Sequence, residues 1–261
     1  MNKETQFKFI EDNYPLEIHH ISKRSIRHSI FSTIKTELQA YLLGFYAADG
    51  SIDKHRKTLR IHLQESDKDL VNLYKDIICP QAYTFSKLPH KTTGRNGQII
   101  NAHLSYGIDI TSSQLCQDLC YWGFGYQKSN QALHLPKINK KLLPHFIRGY
   151  FDGDGSFVAS IKKPKNRPNL LVTMCFSIIS KTPDILIDMQ KLFAENNIIV
   201  NINYIKRDNL YRLTCSSKKY CRKIFKFLYT KSNFYLKRKF NKFEYYANTE
   251  DVQLIADACN A

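Results

Sequence analysis

Apolar and polar side chains alternate along this chain in a pattern that predicts the same order of elements twice. Periods near 3.6 residues predict helices, and period-two alternation between turn residues predicts strands. The first seven elements are predicted at about 37–48, 50–54, 58–64, 67–79, 82–88, 98–110 and 112–121. The second seven are predicted at about 139–152, 155–162, 170–179, 184–193, 198–206, 209–215 and 216–229, with one more helix from about 235.

Each set forms an internal repeat of the type αββαββα. Strands joined by hairpins pair in the antiparallel sense, so we expect an α+β fold with two pseudo-symmetric repeats. Helices are expected to cover one face of each four-stranded sheet, and the other faces form an open saddle. We divide the chain into an N-terminal extension (1–36), a first repeat (37–136), a second repeat (137–248) and a C-terminal tail (249–261).

The N-terminal extension has no counterpart before the second repeat. It interleaves basic residues such as Lys23, Arg24 and Arg27 with apolar residues such as Ile26 and Ile30. Two interpretations follow from this pattern. The extension is either a short helix or arm packed on the outside of the core, or an additional arm that contacts nucleic acid.

The helix that opens each repeat ends in the same short motif. It reads LLGFYAADG in the first repeat and IRGYFDGDG in the second. The glycines Gly44 and Gly149 are 105 positions apart. The last acids, Asp49 and Asp154, have the same separation. One apolar helix ending in Asp-Gly is ordinary, whereas two copies in register, each followed by strand-like sequence, indicate a shared function.

Small residues in the motif lie four positions apart and therefore share one helix face. They are Gly44 and Ala48 in the first copy, and Gly149 and Gly153 in the second. A face without side chains lets two helix backbones approach closely, despite the low helix propensity of glycine. If the two faces pack together, Asp49 and Asp154 meet as a two-carboxylate site for a metal ion.

The charge of the chain is strongly positive and unevenly distributed. The formal net charge is +16, from 39 basic and 23 acidic side chains. Residues 137–248 carry a net +16, residues 1–136 a net +3, and the tail a net −3. Such a cationic surface is typical of nucleic-acid binding. A membrane surface is the alternative, but the basic residues are not confined to one face of an amphipathic helix, and no apolar run is long enough to span a bilayer.

The cysteines and the amino terminus bear on the compartment. The seven cysteines are an odd number at irregular spacings, which is typical of a reducing compartment rather than a disulfide scaffold. The first residues lack a charged-then-apolar signal pattern. We therefore expect an intracellular protein of the cytoplasm or an organelle matrix, not a secreted one.

The two motifs and the strand patterns after them resemble the LAGLIDADG family of homing endonucleases in its single-chain, two-motif form. The resemblance is strongest over about 37–60 and 142–160, and the flanking layout extends it to about 37–247. It implies the LAGLIDADG homing endonuclease fold, whose antiparallel sheets form a DNA-binding saddle. It also implies a monomer that makes a metal-dependent double-strand cut in DNA at a long, imperfectly palindromic target.

The resemblance assigns roles to the motif acids. The family carries catalysis on the penultimate acid of each motif, which corresponds here to Asp49 and Asp154. These two residues are the expected ligands of Mg²⁺, which Mn²⁺ or Ca²⁺ can replace in binding. Asp152 matches Ala47 of the first motif, so a helix-end or structural role is expected for it rather than a symmetric catalytic one.

The resemblance also places polar and basic residues near the metals. Gln64 is the expected polar residue after the second strand of the first repeat, and Ser180 lies near the equivalent point of the second. Lys239 resembles the late lysine of the family, and Lys128 is its counterpart in the first repeat. A solvated surface side chain is the alternative for each of them.

Polar residues on the open sheet faces and basic hairpin tips are the expected DNA contacts, since a strand ribbon fits the major groove. Ordinary solvated loops are the alternative. The candidates are Lys54, Arg56, Arg60, His62, Arg95, Asn101, His103, Lys162, Lys163, Lys165, Arg167, Lys206, Arg207 and Arg212.

The expected function is site-specific cleavage of double-stranded DNA by a monomeric, magnesium-dependent endonuclease. Two alternatives share the fold. The first is a group I intron RNA maturase, which needs a basic surface but not both acids and would make intron RNA a partner. The second is a DNA-binding regulator without nuclease activity.

Overall fold

The structure, a computed structural model, describes residues 1–20, 22–93, 99–162 and 171–248. The helices in these ranges are α1 (Lys3–Asn13), α2 (Glu37–Asp49), α3 (Lys68–Ile78), α4 (Ser113–Tyr121), α5 (Leu143–Asp154), α6 (Asp184–Glu195), α7 (Lys218–Tyr229) and α8 (Lys237–Asn248). The strands are β1 (Glu17–Ile18), β2 (Ser25–Ile26), β3 (Ser51–Asp53), β4 (Thr58–Gln64), β5 (Thr84–Lys87), β6 (His90–Thr93), β7 (Ile99–Ala102), β8 (Ser105–Thr111), β9 (Gly155–Lys162), β10 (Leu171–Ser180), β11 (Asn201–Ile205) and β12 (Leu210–Cys215).

Two four-stranded antiparallel sheets carry the fold, in the orders β3-β4-β8-β5 and β11-β12-β10-β9. Strand β4 shows why one face of each sheet is covered. Leu59, Ile61 and Leu63 are buried, whereas Arg60 and His62 between them are partly exposed. Successive side chains of a strand point to opposite faces, so the apolar set lies towards the helices. The predicted α+β fold with antiparallel sheets is confirmed.

The long hairpin expected over 82–88 and 98–110 is confirmed, and a single register runs through both of its parts, with an interruption between them. Strand β5 pairs with β8, with Thr84 opposite Ile108 and Lys87 opposite Ser105. Strands β6 and β7 pair only with each other, as a separate ribbon. Pro89 lies between β5 and β6, where its missing N–H and fixed φ interrupt the ladder.

Helix α2 is buried on all sides, and its start is fixed by a local signal. The Thr36 hydroxyl accepts a hydrogen bond from the Gln39 N–H at 3.2 Å, and the Gln39 side chain accepts one from the Thr36 N–H at 3.2 Å. This reciprocal capping satisfies donors that a helix N-terminus leaves unpaired. Every residue from Glu37 to Ala47 is buried, as expected for a helix that is apolar all round.

Helices α2 and α5 touch backbone to backbone through their glycines. A Cβ built on Gly44 would lie 2.0 Å from the Phe146 carbonyl oxygen. One built on Gly149 would lie 2.1 Å from the Tyr41 carbonyl oxygen and 2.7 Å from the Phe45 nitrogen. Any side chain at these two positions would therefore force the helices apart.

A buried ion pair joins the same two helices near the start of α2. The fully buried guanidinium of Arg148 donates to the Glu37 carboxylate at 2.8 Å, and also to the Leu228 and Phe234 carbonyls at 2.6 and 2.7 Å. The Asn233 N–H donates to Glu37 at 2.6 Å. Burial by itself raises the pKa of Glu37, but Arg148 and Asn233 together outweigh it, and the pKa is lowered. The pair therefore stays ionised and holds the segment before α8 against the helix pair.

The N-terminal extension packs into the core rather than projecting as a free arm. Ile10, Ile30 and Phe31 are buried in the common apolar cluster. The Gln6 side chain accepts from the Leu38 N–H at 2.9 Å. Arg27, one of the basic residues of this segment, is 7% exposed and donates to the Ile77 carbonyl at 2.8 Å. The Arg27 guanidinium is therefore bound to the backbone inside the fold.

Two features bear on the surroundings of the protein. Across the described ranges, no helix has the length and apolarity needed to cross a membrane. The cysteines in the same ranges are free thiols: Cys79, Cys116, Cys120, Cys175, Cys215 and Cys221.

We expect Gly149→Val to lower the melting temperature by several degrees. Its side chain would meet the α2 backbone, and overpacking of this kind costs about 1–3 kcal/mol, with each kcal/mol worth about 2–4 °C in a chain of this size. Calorimetry of the purified variant measures the change. Lys191→Val on the exposed side of α6 is the control, because it adds only the weaker helix propensity of valine. Equal melting of the two variants would contradict the backbone contact.

Candidate active site

The two motif acids lie where α2 and α5 end side by side. Gly50 follows Asp49, and its N–H closes the last turn by donating to the Tyr46 carbonyl at 2.9 Å. A Cβ built on Gly153 would lie 3.2 Å from an oxygen of Asp49 and 2.4 Å from the Ala48 Cβ. The Asp49 carboxylate therefore rests against the end of α5, one residue before Asp154.

The pKa values of both motif acids are raised, and burial is the largest cause for each. Burial first, and then repulsion from Asp49, raises the pKa of Asp154 to about 6, against the lowering influence of two lysines. Asp49 is exposed on one side, yet the protein around it displaces enough water for burial to raise its pKa as well. Two acids that resist ionisation beside each other form a strong site for a positive charge.

The chemistry of the two acids fits a hard divalent cation. Neither carboxylate takes part in a hydrogen bond or ion pair recorded for the described part of the chain, so their oxygens are available as ligands. Mg²⁺ prefers oxygen ligands and keeps several waters, so one or two carboxylates suffice. Within the described ranges no group of three or more His, Cys, Asp or Glu side chains could hold a metal.

A lysine binds the carbonyl end of each motif helix. Lys128 is 8% exposed and donates to the Ala47 and Ala48 carbonyls at 2.9 and 2.8 Å. Lys239 donates to the Asp152 and Gly155 carbonyls at 2.7 Å each, and to two more carbonyls at this helix end. A cation is favourable at a helix C-terminus, where carbonyls are unpaired.

The acid that each lysine faces belongs to the other repeat. Burial lowers the pKa of Lys128 to about 8, and Asp154 opposes this more than Asp49 does. Burial likewise lowers the pKa of Lys239 to about 8, and Asp152 and then Asp49 oppose it; Lys239 in turn is the charge that most lowers the pKa of Asp49. Each motif acid is thus paired with a lysine bound to the end of the opposite motif helix.

Ser180 lies near the position that matches Gln64, as expected, but one residue before it. Ser51 pairs with Arg60 in the first sheet, and the matching Ser156 pairs with Ser177 in the second. Four residues beyond Arg60 is Gln64, and four residues beyond Ser177 is Lys181. The β9–β10 hairpin is longer than the β3–β4 hairpin. Equivalent residues after these hairpins are therefore no longer separated by the 105 positions that separate the motifs.

The residue that does match Gln64 is Lys181. It lines a cavity of about 220 Å³ together with Asp154 and Lys128. Its ammonium donates to Ser129 and Asn130 at 3.4 and 3.2 Å. Ser180 is itself 6% exposed, so Lys181 is the residue at this point that reaches the solvent side. An alignment of the strands that starts from Ser51 and Ser156 would have identified Lys181, whereas counting from the motif acids does not.

An ion pair on the Asp49 side was also missed from the sequence. Arg238 donates to the two oxygens of Asp67 at 2.7 and 2.6 Å. The pair joins the end of β4 to the start of α8, immediately before Lys239. The partners are 171 positions apart, and no local pattern connects them.

Asp152 has the structural position expected of it. It is buried and accepts hydrogen bonds from the Tyr41 hydroxyl and from the Leu236 N–H, both at 2.8 Å. The second contact holds the residue just before α8, the helix that carries Lys239. Ala47, the matching residue of the first motif, cannot make either contact.

Two predicted DNA contacts on β4 are engaged with acids of the same sheet. Arg60 pairs with Asp53 at 2.7 Å and with Asp109 at 3.5 Å. His62 contacts Asp109 at 2.7 Å. Their side chains are therefore held in fixed positions on the partly exposed sheet face, and part of the Arg60 charge is balanced there.

The remaining predicted contacts fall into two groups. The exposed ones are Lys54, Arg56, His103, Lys206, Arg207 and Arg212, and Arg207 pairs with Asp208 at 2.9 Å. Asn101 and Lys162 lie in strands β7 and β9. The rest lie outside the described residues, as does the 249–261 tail: Arg95, Lys163, Lys165 and Arg167.

Sequence comparison identifies one family. A profile described as LAGLIDADG-like domain matches residues 36–78 and 142–228, one segment over each motif. An uncharacterized protein of Methanocaldococcus jannaschii is 26% identical over 180 residues, which is 68% of this chain and 60% of that protein. The chain therefore spans less than two thirds of the length of this curated relative.

Solved structures of the same fold cover most of the chain. A lysine-to-alanine variant of I-SmaMI superposes with a TM-score of 0.57 at 14% identity, over 87% of this chain and 93% of that one. I-SmaMI bound to uncleaved DNA in the presence of calcium ions gives 0.52 at 16% identity, over 87% and 93%. The LAGLIDADG meganuclease I-AabMI bound to uncleaved DNA gives 0.51 at 15% identity, over 85% and 92%. At these identities the similarity establishes the fold.

We expect Asp154→Asn to stabilise the folded protein at neutral pH in EDTA. An aspartate in the unfolded chain has a pKa near 4, and the folded value is about 6. The folded state therefore binds this proton more tightly, and stability falls as the pH rises from about 4 through about 6. Asparagine removes that loss, which we place at about 1–2 kcal/mol after solvent screening.

Melting temperatures at pH 4 and pH 7.5 measure the effect. The variant should melt higher than the wild type at pH 7.5 and equally at pH 4. Asp208→Asn is the control, because the Arg207 side chain holds the pKa of Asp208 low and its ionisation is favourable. A gain for Asp154→Asn that persists at pH 4 would show that its cause is not the charge.

Proposed function

Because this chain belongs to the LAGLIDADG family, we propose that it is a homing endonuclease. It hydrolyses both strands of double-stranded DNA at a specific, long and imperfectly palindromic target, with a divalent metal ion. It acts as a monomer, since one chain contains both motifs. Two acids, one from each motif, at the ends of helices in backbone contact carry this proposal.

Asp49 and Asp154 would hold the metal, with Mg²⁺ as the proposed ion and Mn²⁺ or Ca²⁺ able to replace it in binding. Bound magnesium supplies activation of a water and stabilisation of charge on the phosphate. The two acids face the same point from opposite repeats, so phosphates of both strands can reach one compact site. Calcium present with uncleaved DNA in the I-SmaMI structure agrees with carboxylates that bind a cation before cleavage.

The lysines and Gln64 supply the remaining functions of the site. With pKa values near 8, Lys128 and Lys239 are mostly charged at neutral pH. Their positions at the helix ends leave them rigid, and a preorganised cation stabilises negative charge that develops on a phosphate. Gln64, exposed at the end of β4, can orient a water through its amide. Asp152 acts as a positioning residue through Leu236.

The exposed sheet residues would contact the DNA. Lys54 and Arg56 lie at the β3–β4 turn and Lys206 at the β11–β12 turn, while Arg212 is exposed within β12. Arg60 and His62 occupy fixed positions suited to base edges, since ion pairs hold them. The two sheets carry different side chains, which suits a target with unlike half-sites.

A cleavage assay tests the proposal against both alternatives. The substrate is the DNA that flanks the gene, joined without its intron, and the protein is added with Mg²⁺. A discrete double-strand cut is the expected result. Binding without a cut in Mg²⁺ or Mn²⁺ would identify a DNA-binding regulator. Splicing of the intron RNA in the presence of the protein, without any cut, would identify a maturase.

We expect Asp49→Asn and Asp154→Asn each to abolish cleavage and to leave DNA binding intact. Each change removes a metal-binding carboxylate, and it also removes negative charge beside the phosphates, so binding can tighten. Single-turnover cleavage and gel-shift titration measure the two effects. Asp76→Asn, on the exposed side of α3, is the control that should still bind and cut. Wild-type cutting by either motif variant would refute the assignment.

We expect the affinity for DNA to fall steeply with salt. Phosphate contacts release counterions, so about 8 contacts give a log–log slope of about −7. The net charge of +16 motivates this number. Fluorescence anisotropy with a labelled duplex, in EDTA, measures the affinity at salt concentrations from about 50 to about 300 mM. The slope is read over this roughly sixfold range of salt. A flat response would point to a partner other than nucleic acid.

A further inference from the structure

The two sides of the site differ in one residue that the strand register makes equivalent. Gln64 lies four residues beyond Arg60, and Lys181 lies four residues beyond Ser177, where Arg60 and Ser177 pair with matching serines. One side therefore presents a neutral amide and the other an ammonium. The motif acids and the helix-end lysines are the same on both sides, so this position is one chemical difference between them.

Lys181 lines the site, and its ammonium has neutral partners. It shares a cavity of about 220 Å³ with Asp154 and Lys128. Its contacts to Ser129 and Asn130, at 3.4 and 3.2 Å, are to neutral oxygens on the turn that carries Lys128. Neutral partners leave the full positive charge of the ammonium available to an anion. The cavity is large enough for a phosphate group.

On the Asp49 side, an acid of the protein neutralises the additional basic residue. Arg238 is the basic residue next to Lys239, and the Asp67 carboxylate holds it with two hydrogen bonds at 2.7 and 2.6 Å. That guanidinium is neutralised within the protein. The Asp154 side thus offers a phosphate one more uncompensated charge than the Asp49 side does.

We propose that Lys181 is a catalytic residue of one strand only, which contacts the scissile phosphate beside Asp154 and makes that strand the first to be cut. The proposal rests on the proposed nuclease function. Hydrolysis forms a bond from a water oxygen to phosphorus and breaks the bond between phosphorus and the 3′ oxygen; the water loses a proton to solvent, and the leaving 3′ oxygen takes up one from solvent. Lys181 stabilises the negative charge on the phosphate oxygens during this step and transfers no proton.

The test exchanges the two residues. The substrate is a supercoiled plasmid that carries the target found in the cleavage assay, with each strand probed separately. The wild type should pass through a nicked circle with one strand cut first. Lys181→Gln should slow cutting of that strand by about 100-fold, as for loss of one oxyanion donor, and leave the other strand unchanged. The double variant Gln64→Lys/Lys181→Gln should reverse the order of the two cuts.

Two controls separate a phosphate contact from a structural role. Asn130→Ala removes a partner of Lys181 without removing the charge, so the order of cutting should stay that of the wild type. Lys191→Gln, on the exposed side of α6, should change neither strand. Equal slowing of both strands by Lys181→Gln, or an unchanged order in the double variant, would overturn the proposal.

A metal-free measurement tests the contact without cleavage. In EDTA, Lys181→Gln should reduce the log–log salt slope of DNA binding by about 0.9, the value of one phosphate contact. Gln64→Ala should leave the slope unchanged, and an unchanged slope for Lys181→Gln would also overturn the proposal. A wild type that binds DNA and leaves the plasmid intact would refute the nuclease function, and the slope would still decide whether Lys181 contacts a phosphate.

Discussion

The structure depends on one close contact, in which α2 and α5 meet without side chains between them. Gly44 lies against the backbone of Phe146, and Gly149 against that of Tyr41. Dispersion and the exclusion of water act over the whole length of two such apolar helices. The consequence for function is geometric, because the same contact sets the separation of the two helix ends. Asp49 and Asp154 are neighbours because nothing larger than hydrogen separates the glycines from the opposite helix.

The two repeats complete each other around this contact. Lys128 is bound to the end of α2 and faces Asp154, while Lys239 is bound to the end of α5 and faces Asp49. The Glu37–Arg148 pair joins the helices at their other end. Breaking a buried pair of this kind by removing one partner costs about 3–5 kcal/mol. Neither repeat alone therefore contains a complete set of acid, lysine and supporting contacts.

Electrostatics at the site oppose folding and favour ligands. The raised pKa of Asp154 and the lowered pKa values of the two lysines all have burial as their largest cause. Groups held away from water in the charged form make the folded state less stable than it would be with neutral side chains. The same groups respond strongly to an arriving cation or phosphate, since little solvent screens them.

The sequence by itself determined the repeat, the motif helices, the glycine faces and the pair of acids, because these depend on periodicity and spacing within a few turns of chain. The residues around the acids depend on strand register and on contacts between distant segments. Unequal hairpin lengths place Lys181, the residue after Ser180, at the position that matches Gln64, and Pro89 interrupts the expected long hairpin without changing its register. The Asp67–Arg238 pair joins positions 171 apart. Only the tertiary structure decides such pairings, since the packing of the two repeats, and not the local pattern, brings their partners together.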